Sequence, residues 1–82
     1  MSRAAKILEA AKANNASVAF ADLKKLVVAA GWVLKRSKGS HHIFSRRGTV
    51  EIINLQSDGP KAKAYQVDQV LALIEKYSIV IS

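Results

Sequence analysis

The run Trp32-Val33-Leu34-Lys35-Arg36-Ser37-Lys38-Gly39-Ser40-His41-His42-Ile43-Phe44, continued as Ser45-Arg46-Arg47-Gly48-Thr49-Val50-Glu51-Ile52-Ile53-Asn54-Leu55, decides the fold. Two glycines punctuate it, and each follows a basic residue, as Lys38-Gly39 and Arg47-Gly48. Around them, β-branched and aromatic residues alternate with polar ones, the pattern of strands separated by turns. Strands are predicted over residues 32–37, 40–46 and 49–55, with connections short enough to make neighbours antiparallel. Trp32 and Leu34 then share one face of the first strand, and Val33 and Lys35 the other. A two-residue turn at Arg47-Gly48 pairs Arg46 with Thr49, Phe44 with Glu51 and His42 with Ile53. One sheet face carries His42, Phe44, Ile53 and Leu55, and the other His41, Ile43, Val50 and Ile52. Periodicity leaves open which face is covered.

Helices are expected on either side. Ala4, Ile7, Leu8 and Ala11 recur at helical spacing, predicting a helix over residues 3–13 that ends at Asn14-Asn15, where Asn tolerates left-handed backbone. Leu23, Leu26, Val27 and Ala30 mark a second helix over residues 20–30, with Ser17 near its start, Asp22 in its first turn and Gly31 as its stop. Residues 56–63 read as a polar loop turning at Asp58-Gly59-Pro60. Val67, Val70, Leu71 and Ile74 place a third helix over residues 65–77, and Ile79-Val80-Ile81 follow as a short strand or packed tail. The order is α-α-β-β-β-α, an α+β fold with a three-stranded antiparallel meander and helices on one face.

The 82 residues make one small domain, and a hydrophobic share of 50% permits a modest core. No run reaches the ~20 apolar residues of a membrane span. Lys6, Glu9 and Lys12 interrupt the N-terminal apolar positions, against a signal peptide. The chain has no cysteine, which removes disulfides, thiolate nucleophiles and Cys-ligated zinc and fits a reducing cytoplasm. Net charge is +7, and residues 35–63 hold seven basic against two acidic side chains. This is either a generally basic surface or a footprint for a polyanion. Its concentration around the histidines favours the polyanion.

The chain's two histidines are adjacent, at 41 and 42. Successive strand residues face opposite ways, so the two cannot both enter one site unless the strand is bulged or has not yet begun, which argues against a chelating pair; no metal or other cofactor is expected. Ser40 and His41 diverge in the same way, against a serine–histidine nucleophile. Histidine exchanges protons near neutrality. Beside phosphates held by Arg and Lys it suits metal-free RNA cleavage, in which the ribose 2′-OH attacks the adjacent phosphorus while one group removes its proton and another protonates the leaving 5′-oxygen.

From Phe20 onward the chain resembles the HicA family of toxins from type II toxin–antitoxin systems. The resemblance rests on Asp22-Leu23, Ala30-Gly31-Trp32, Arg36, Gly39-Ser40-His41-His42-Ile43-Phe44, Asn54-Leu55-Gln56, Ala62-Lys63-Ala64-Tyr65-Gln66-Val67 with Gln69, and Glu75-Lys76-Tyr77. It implies a core over residues 20–77 like a double-stranded-RNA-binding domain, α-β-β-β-α. Residues 1–15 add a helical extension, all within a single domain over residues 1–82. It further implies a metal-independent ribonuclease that cleaves mRNA and stops translation, neutralised by a HicB-type antitoxin that covers its active site. The family's catalytic histidine directly follows Gly-Ser and maps to His41. Two family features are missing: a Pro-x-His segment stands where this chain reads Asn54-Leu55-Gln56, and a proline often precedes Tyr-Gln-Val where this chain has Ala64.

The site expected from residues and resemblance together has His41 as general acid or base and His42 as a second candidate. Arg36, Lys38, Arg46 and Lys63 hold phosphate, and Ser40 orients the site. Tyr65 stacks on an unpaired base, and Gln66 lies at a helix N-terminus suited to phosphate. Two other readings fit the same features: a domain that holds RNA without cutting it, and a basic surface for an acidic protein partner.

Overall fold

The computed structural model of the chain describes residues 2–82. Helix α1 (Arg3–Ala13) opens on Ser2, whose hydroxyl accepts from the Ala5 N–H and caps the first turn. It buries Ala5, Ile7 and Ala11, while Ala4 and Leu8 of the predicted stripe are only half-buried. Asn14 ends it with extended rather than left-handed backbone (φ −156°), and its side chain accepts from the Ala16 N–H to start a 3-10 turn, Asn15–Ser17. Ser17 is held in that turn, its hydroxyl donating to the Asn14 carbonyl, so it does not cap the next helix. Ala19 takes that place without a side-chain cap, ahead of α2 (Phe20–Ala29).

Beyond Gly31 (φ +102°) the chain forms a four-stranded antiparallel sheet in the order β1 (Val33–Lys38), β2 (His41–Ser45), β3 (Ile52–Asp58), β4 (Lys61–Ala62). The sheet departs from the expected one at three places. The first turn is Gly39-Ser40, one residue later than predicted. The second connection is a six-residue loop, residues 46–51: a turn forms at Arg47-Gly48, where the Thr49 N–H and hydroxyl both donate to the Arg46 carbonyl, but no strand pairing continues from it through Val50 and Glu51. The polar loop after Leu55 is instead a hairpin, in which β3 runs on to Asp58 and turns at Gly59-Pro60 into β4. Two residues are too few to show alternation. β4 forms because Ala62 N–H donates to the Val18 carbonyl and Phe20 N–H to the Pro60 carbonyl, stitching the hairpin to the start of α2.

The widened loop has visible causes. Arg46 meets Thr49 through its backbone carbonyl alone, and its side chain is engaged elsewhere. Its Nε donates to the Ala30 carbonyl at 3.0 Å and its guanidinium lies over the Trp32 ring, locking the end of β2 to the end of α2. At the far side of the loop, Glu51 accepts from Lys76 and Tyr77 at the end of α3 (Ala64–Lys76). The Lys76 bond, then the Tyr77 bond, hold the Glu51 carboxyl down at about 2. In the unfolded chain it titrates at ~4.3. The pKa is depressed on folding, so the stabilisation is present above ~4.3 and is lost as pH falls through about 2. The stability gap between wild type and Glu51→Gln, measured by denaturant titration, should therefore be open near neutrality and close progressively in this acid window.

The registers are His42↔Leu55, Phe44↔Ile53 and Ser45↔Ile52, two residues away from the expected pairing. A shift of two leaves every side chain on its expected face. The His42, Phe44, Ile53, Leu55 face is the covered one. Phe44, Ile53 and Leu55 join Leu23, Leu26 and Val27 of α2 and Val67, Val70 and Ile74 of α3 in the core, with Ile7 and Ala11 of α1 behind them. Ile79 and Ile81 pack against this core as a tail and form no strand. No helix is long and apolar enough to cross a membrane.

Candidate functional site

The open face of the sheet carries the candidate site. Strand β1 pairs Arg36 with Ile43, Ser37 with His42 and Lys38 with His41, after a bulge between Leu34 and Arg36. Leu34, Arg36 and Lys38 would share a face on an unbroken strand. The extra residue, Lys35, separates them. Leu34 turns to the helix side, while Arg36 and Lys38 turn to the side of His41 and Ile43.

On the other flank His41 pairs with Gln56. The Gln56 N–H points away from β2 and donates at 3.0 Å to the side-chain Oε1 of Gln66, on the first turn of α3. His41 and Gln56 thus form a non-hydrogen-bonded pair, the kind with Cα atoms only ~4.5 Å apart and the closest side chains. Gln56 Oε1 accepts from Lys63 Nζ at 3.2 Å, which puts Lys63 on the same face. The result is a row across the whole sheet: Lys38, His41, Gln56, Lys63. Arg36, Ile43 and Asn54 make the adjacent row. His41, Arg36 and Lys38 are exposed and Lys63 is half-buried. The two ion pairs among the described residues, Arg3–Asp22 and Lys76–Glu51, lie elsewhere and take none of these cations.

Gln66 is the buried polar side chain of the core, with 4% of its surface exposed. A buried amide is costly unless its donors and acceptors are met. Here Oε1 takes the Gln56 N–H and Nε2 donates to the Tyr65 hydroxyl at 3.2 Å. The side chain stands where β4, had it continued, would have supplied a ladder carbonyl. Gln66→Leu keeps the bulk and leaves the half-buried Gln56 N–H unpaired. A loss of about 1–2 kcal/mol is expected in denaturant titrations.

Other expected site residues are placed differently. His42 lies on the helix side, half-buried, its ring edge-on to Phe20 with centroids 5.3 Å apart. Its Nδ1 donates to the Ser40 carbonyl at 3.2 Å, and with Leu34, Ser37 and Phe44 it lines a groove against Lys24 and Val28 of α2. Ser40 is an exposed turn residue. Arg46 is at the opposite end of β2 from His41, roughly 16 Å along a strand that rises ~3.3 Å per residue, and is engaged with Ala30 and Trp32. Gln66 is buried and offers no surface to a ligand. Tyr65 is 57% exposed. The structure brings together His41, Lys38, Arg36 and Lys63, with Tyr65 joined to them through Gln66 and Gln56. Gln56 itself stood in a predicted loop; its odd-numbered neighbours Leu55 and Ile53 on β3 lie in the core and give the parity that puts it on the open face. Among the described residues no group of three His, Asp or Glu side chains of the kind that holds a metal ion is present.

The comparison with known families matches residues 20–75 to the family described as HicA toxin of bacterial toxin-antitoxin. The match takes in all four strands, α2 and nearly all of α3, and leaves α1 outside it. No curated protein and no solved structure matches the chain. A match over two thirds of the chain, which contains the whole Lys38–His41–Gln56–Lys63 row, is sufficient: the chain belongs to the HicA family of bacterial toxin–antitoxin toxins.

Proposed function

We propose that the chain is a metal-independent endoribonuclease that cleaves mRNA in the cytoplasm and halts translation, and that a HicB-type antitoxin protein neutralises it by covering the open sheet face. In this reading residues 20–77 are the RNA-cleaving core, related to double-stranded-RNA-binding domains, and residues 1–15 are an added helix. The single observation that supports it most is the position of His41: exposed, and flanked across the strands by Lys38 on one side and Gln56 with Lys63 on the other. An RNA backbone laid along that row brings phosphates to Lys38, Arg36 and Lys63 with an imidazole between them. His41 exchanges a proton with the reacting ribose or leaving oxygen, and the cations stabilise the charge that builds on phosphorus.

Incubation of a long mRNA with the purified protein in excess chelator tests the reading, with fragments ending in 2′,3′-cyclic phosphate as the expected product. RNA that is bound yet stays whole would leave a binding domain instead. Salt separates both from a surface built for an acidic protein. With about three phosphates neutralised, log affinity for single-stranded RNA should fall against log salt with a slope near −2, roughly 20-fold between 50 and 200 mM. A flat dependence would favour the acidic partner.

A further inference from the structure

We propose that the Tyr65 hydroxyl is the second proton-transfer group of the His41 site, held in a donating orientation by Gln66. The inference rests on the ribonuclease reading above. Cleavage by the 2′-OH moves two protons. The P–O2′ bond forms as a base takes the 2′-OH proton, and the P–O5′ bond breaks as an acid protonates the 5′-oxygen. The products are a 2′,3′-cyclic phosphate and a free 5′-OH. His41 serves one of these transfers. His42 cannot serve the other, because it faces the helices and packs on Phe20. The row itself holds no further imidazole or carboxyl; the Asp58 carboxyl shares the open face two residues beyond Gln56, but among the described residues no side-chain hydrogen bond ties it to the row.

Beside the Lys63 ammonium, which Gln56 Oε1 engages, Tyr65 is the group with a transferable proton that hydrogen bonds tie to the residue opposite His41. One side-chain amide makes the connection: Gln66 Oε1 is bonded to the N–H of Gln56, the residue directly across from His41, and Gln66 Nε2 donates to the Tyr65 oxygen. That second bond sets the direction of proton flow. The phenol oxygen already accepts from Gln66, so its own O–H is left to point outward, and the residue is 57% exposed to meet a ligand. With His41 taking the 2′-OH proton, Tyr65 gives its proton to the 5′-oxygen; the resulting phenolate and imidazolium are reset by exchange with water. Lys63 is engaged with Gln56 Oε1 and contributes charge. Gln66 is buried, touches no substrate and acts as a positioning residue.

The test compares Tyr65→Phe with wild type and His41→Ala on an ordinary RNA and on the same RNA carrying a bridging 5′-sulfur at one cleavage site. A thiolate leaves without being protonated, so only the loss of a general acid is hidden by this substrate. Phenylalanine keeps the ring, so base stacking is retained. Tyr65→Phe is expected to cut the ordinary RNA roughly 10²–10⁴-fold more slowly and the sulfur-containing RNA within a few-fold of wild type. His41→Ala should stay slow on both. Unchanged cleavage of ordinary RNA by Tyr65→Phe, or an equal loss on both substrates, would overturn the assignment while the ribonuclease reading stands. A wild type that cuts neither substrate would overturn both.

Discussion

His41→Ala is expected to lower the rate of mRNA cleavage by roughly 10²–10⁴, the range for removing a positioned general acid or base, while His42→Ala keeps cleaving. The contrast comes from strand geometry. Adjacent residues of β2 face opposite ways, and the fold uses both faces: His41 opens onto the cationic row, and His42 closes against Phe20. His42→Ala forfeits that edge-to-face contact and the bond to Ser40. Its cost should appear as stability, about 0.5–1.5 kcal/mol in denaturant titrations, with cleavage preserved. Rates on one long mRNA, measured for the three proteins in chelator, check the pair. Equal losses for both variants would mean that the two side chains act through folding, and a His42→Ala variant that alone is dead would move the chemistry to the groove beside α2.

The largest effect on stability is expected at Phe44. It lies one residue from the end of β2, pairs with Leu34 on one side and Ile53 on the other, and is 2% exposed. Phe44→Ala leaves a cavity against the α2 and α3 side chains that only partly collapses. Such changes cost about 3–5 kcal/mol. A domain of this length has roughly 4–12 kcal/mol to lose. The midpoint of chemical unfolding should therefore drop steeply, and much of the protein should unfold near physiological temperature. A variant retaining wild-type stability would mean that the covered sheet face is not packed as described.

The sheet faces were legible in the sequence because side-chain parity survives errors of even length. Phe44 was expected opposite Glu51 and lies opposite Ile53, yet both registers put Phe44 with His42, Ile53 and Leu55. The turn at Arg47-Gly48 was legible and forms, but the widening of the loop around it was not. Arg47-Gly48 has the composition of a tight turn, but Arg46 is drawn to Ala30 and Glu51 to Lys76 and Tyr77, and those partners are remote in sequence. β4 escaped notice for a similar reason, since it exists through backbone bonds to Val18 and Phe20 rather than through any pattern of its own. At the site, His41, Lys38, Arg36 and Lys63 could be named from charge and neighbourhood. That Arg46 belongs to a structural lock and Gln66 to the interior could not, since a polar residue carries no local mark of the backbone group it will satisfy.

The bulge at Lys35 has a consequence for how this strand tolerates changes of length. Deleting Lys35 would leave Leu34 and Arg36 in sequence, and their partners Phe44 and Ile43 are already consecutive on β2. The ladder would close without displacing a single downstream pair, so Lys38 would still meet His41. Deleting Ser37 would give a different result. To keep Lys38 opposite His41, the strand would draw Lys35 opposite Ile43 and Arg36 opposite His42, moving Arg36 off the open face. Two single-residue deletions, two positions apart, thus differ completely: one is an indel the architecture absorbs silently, and the other rewires the surface that would meet RNA.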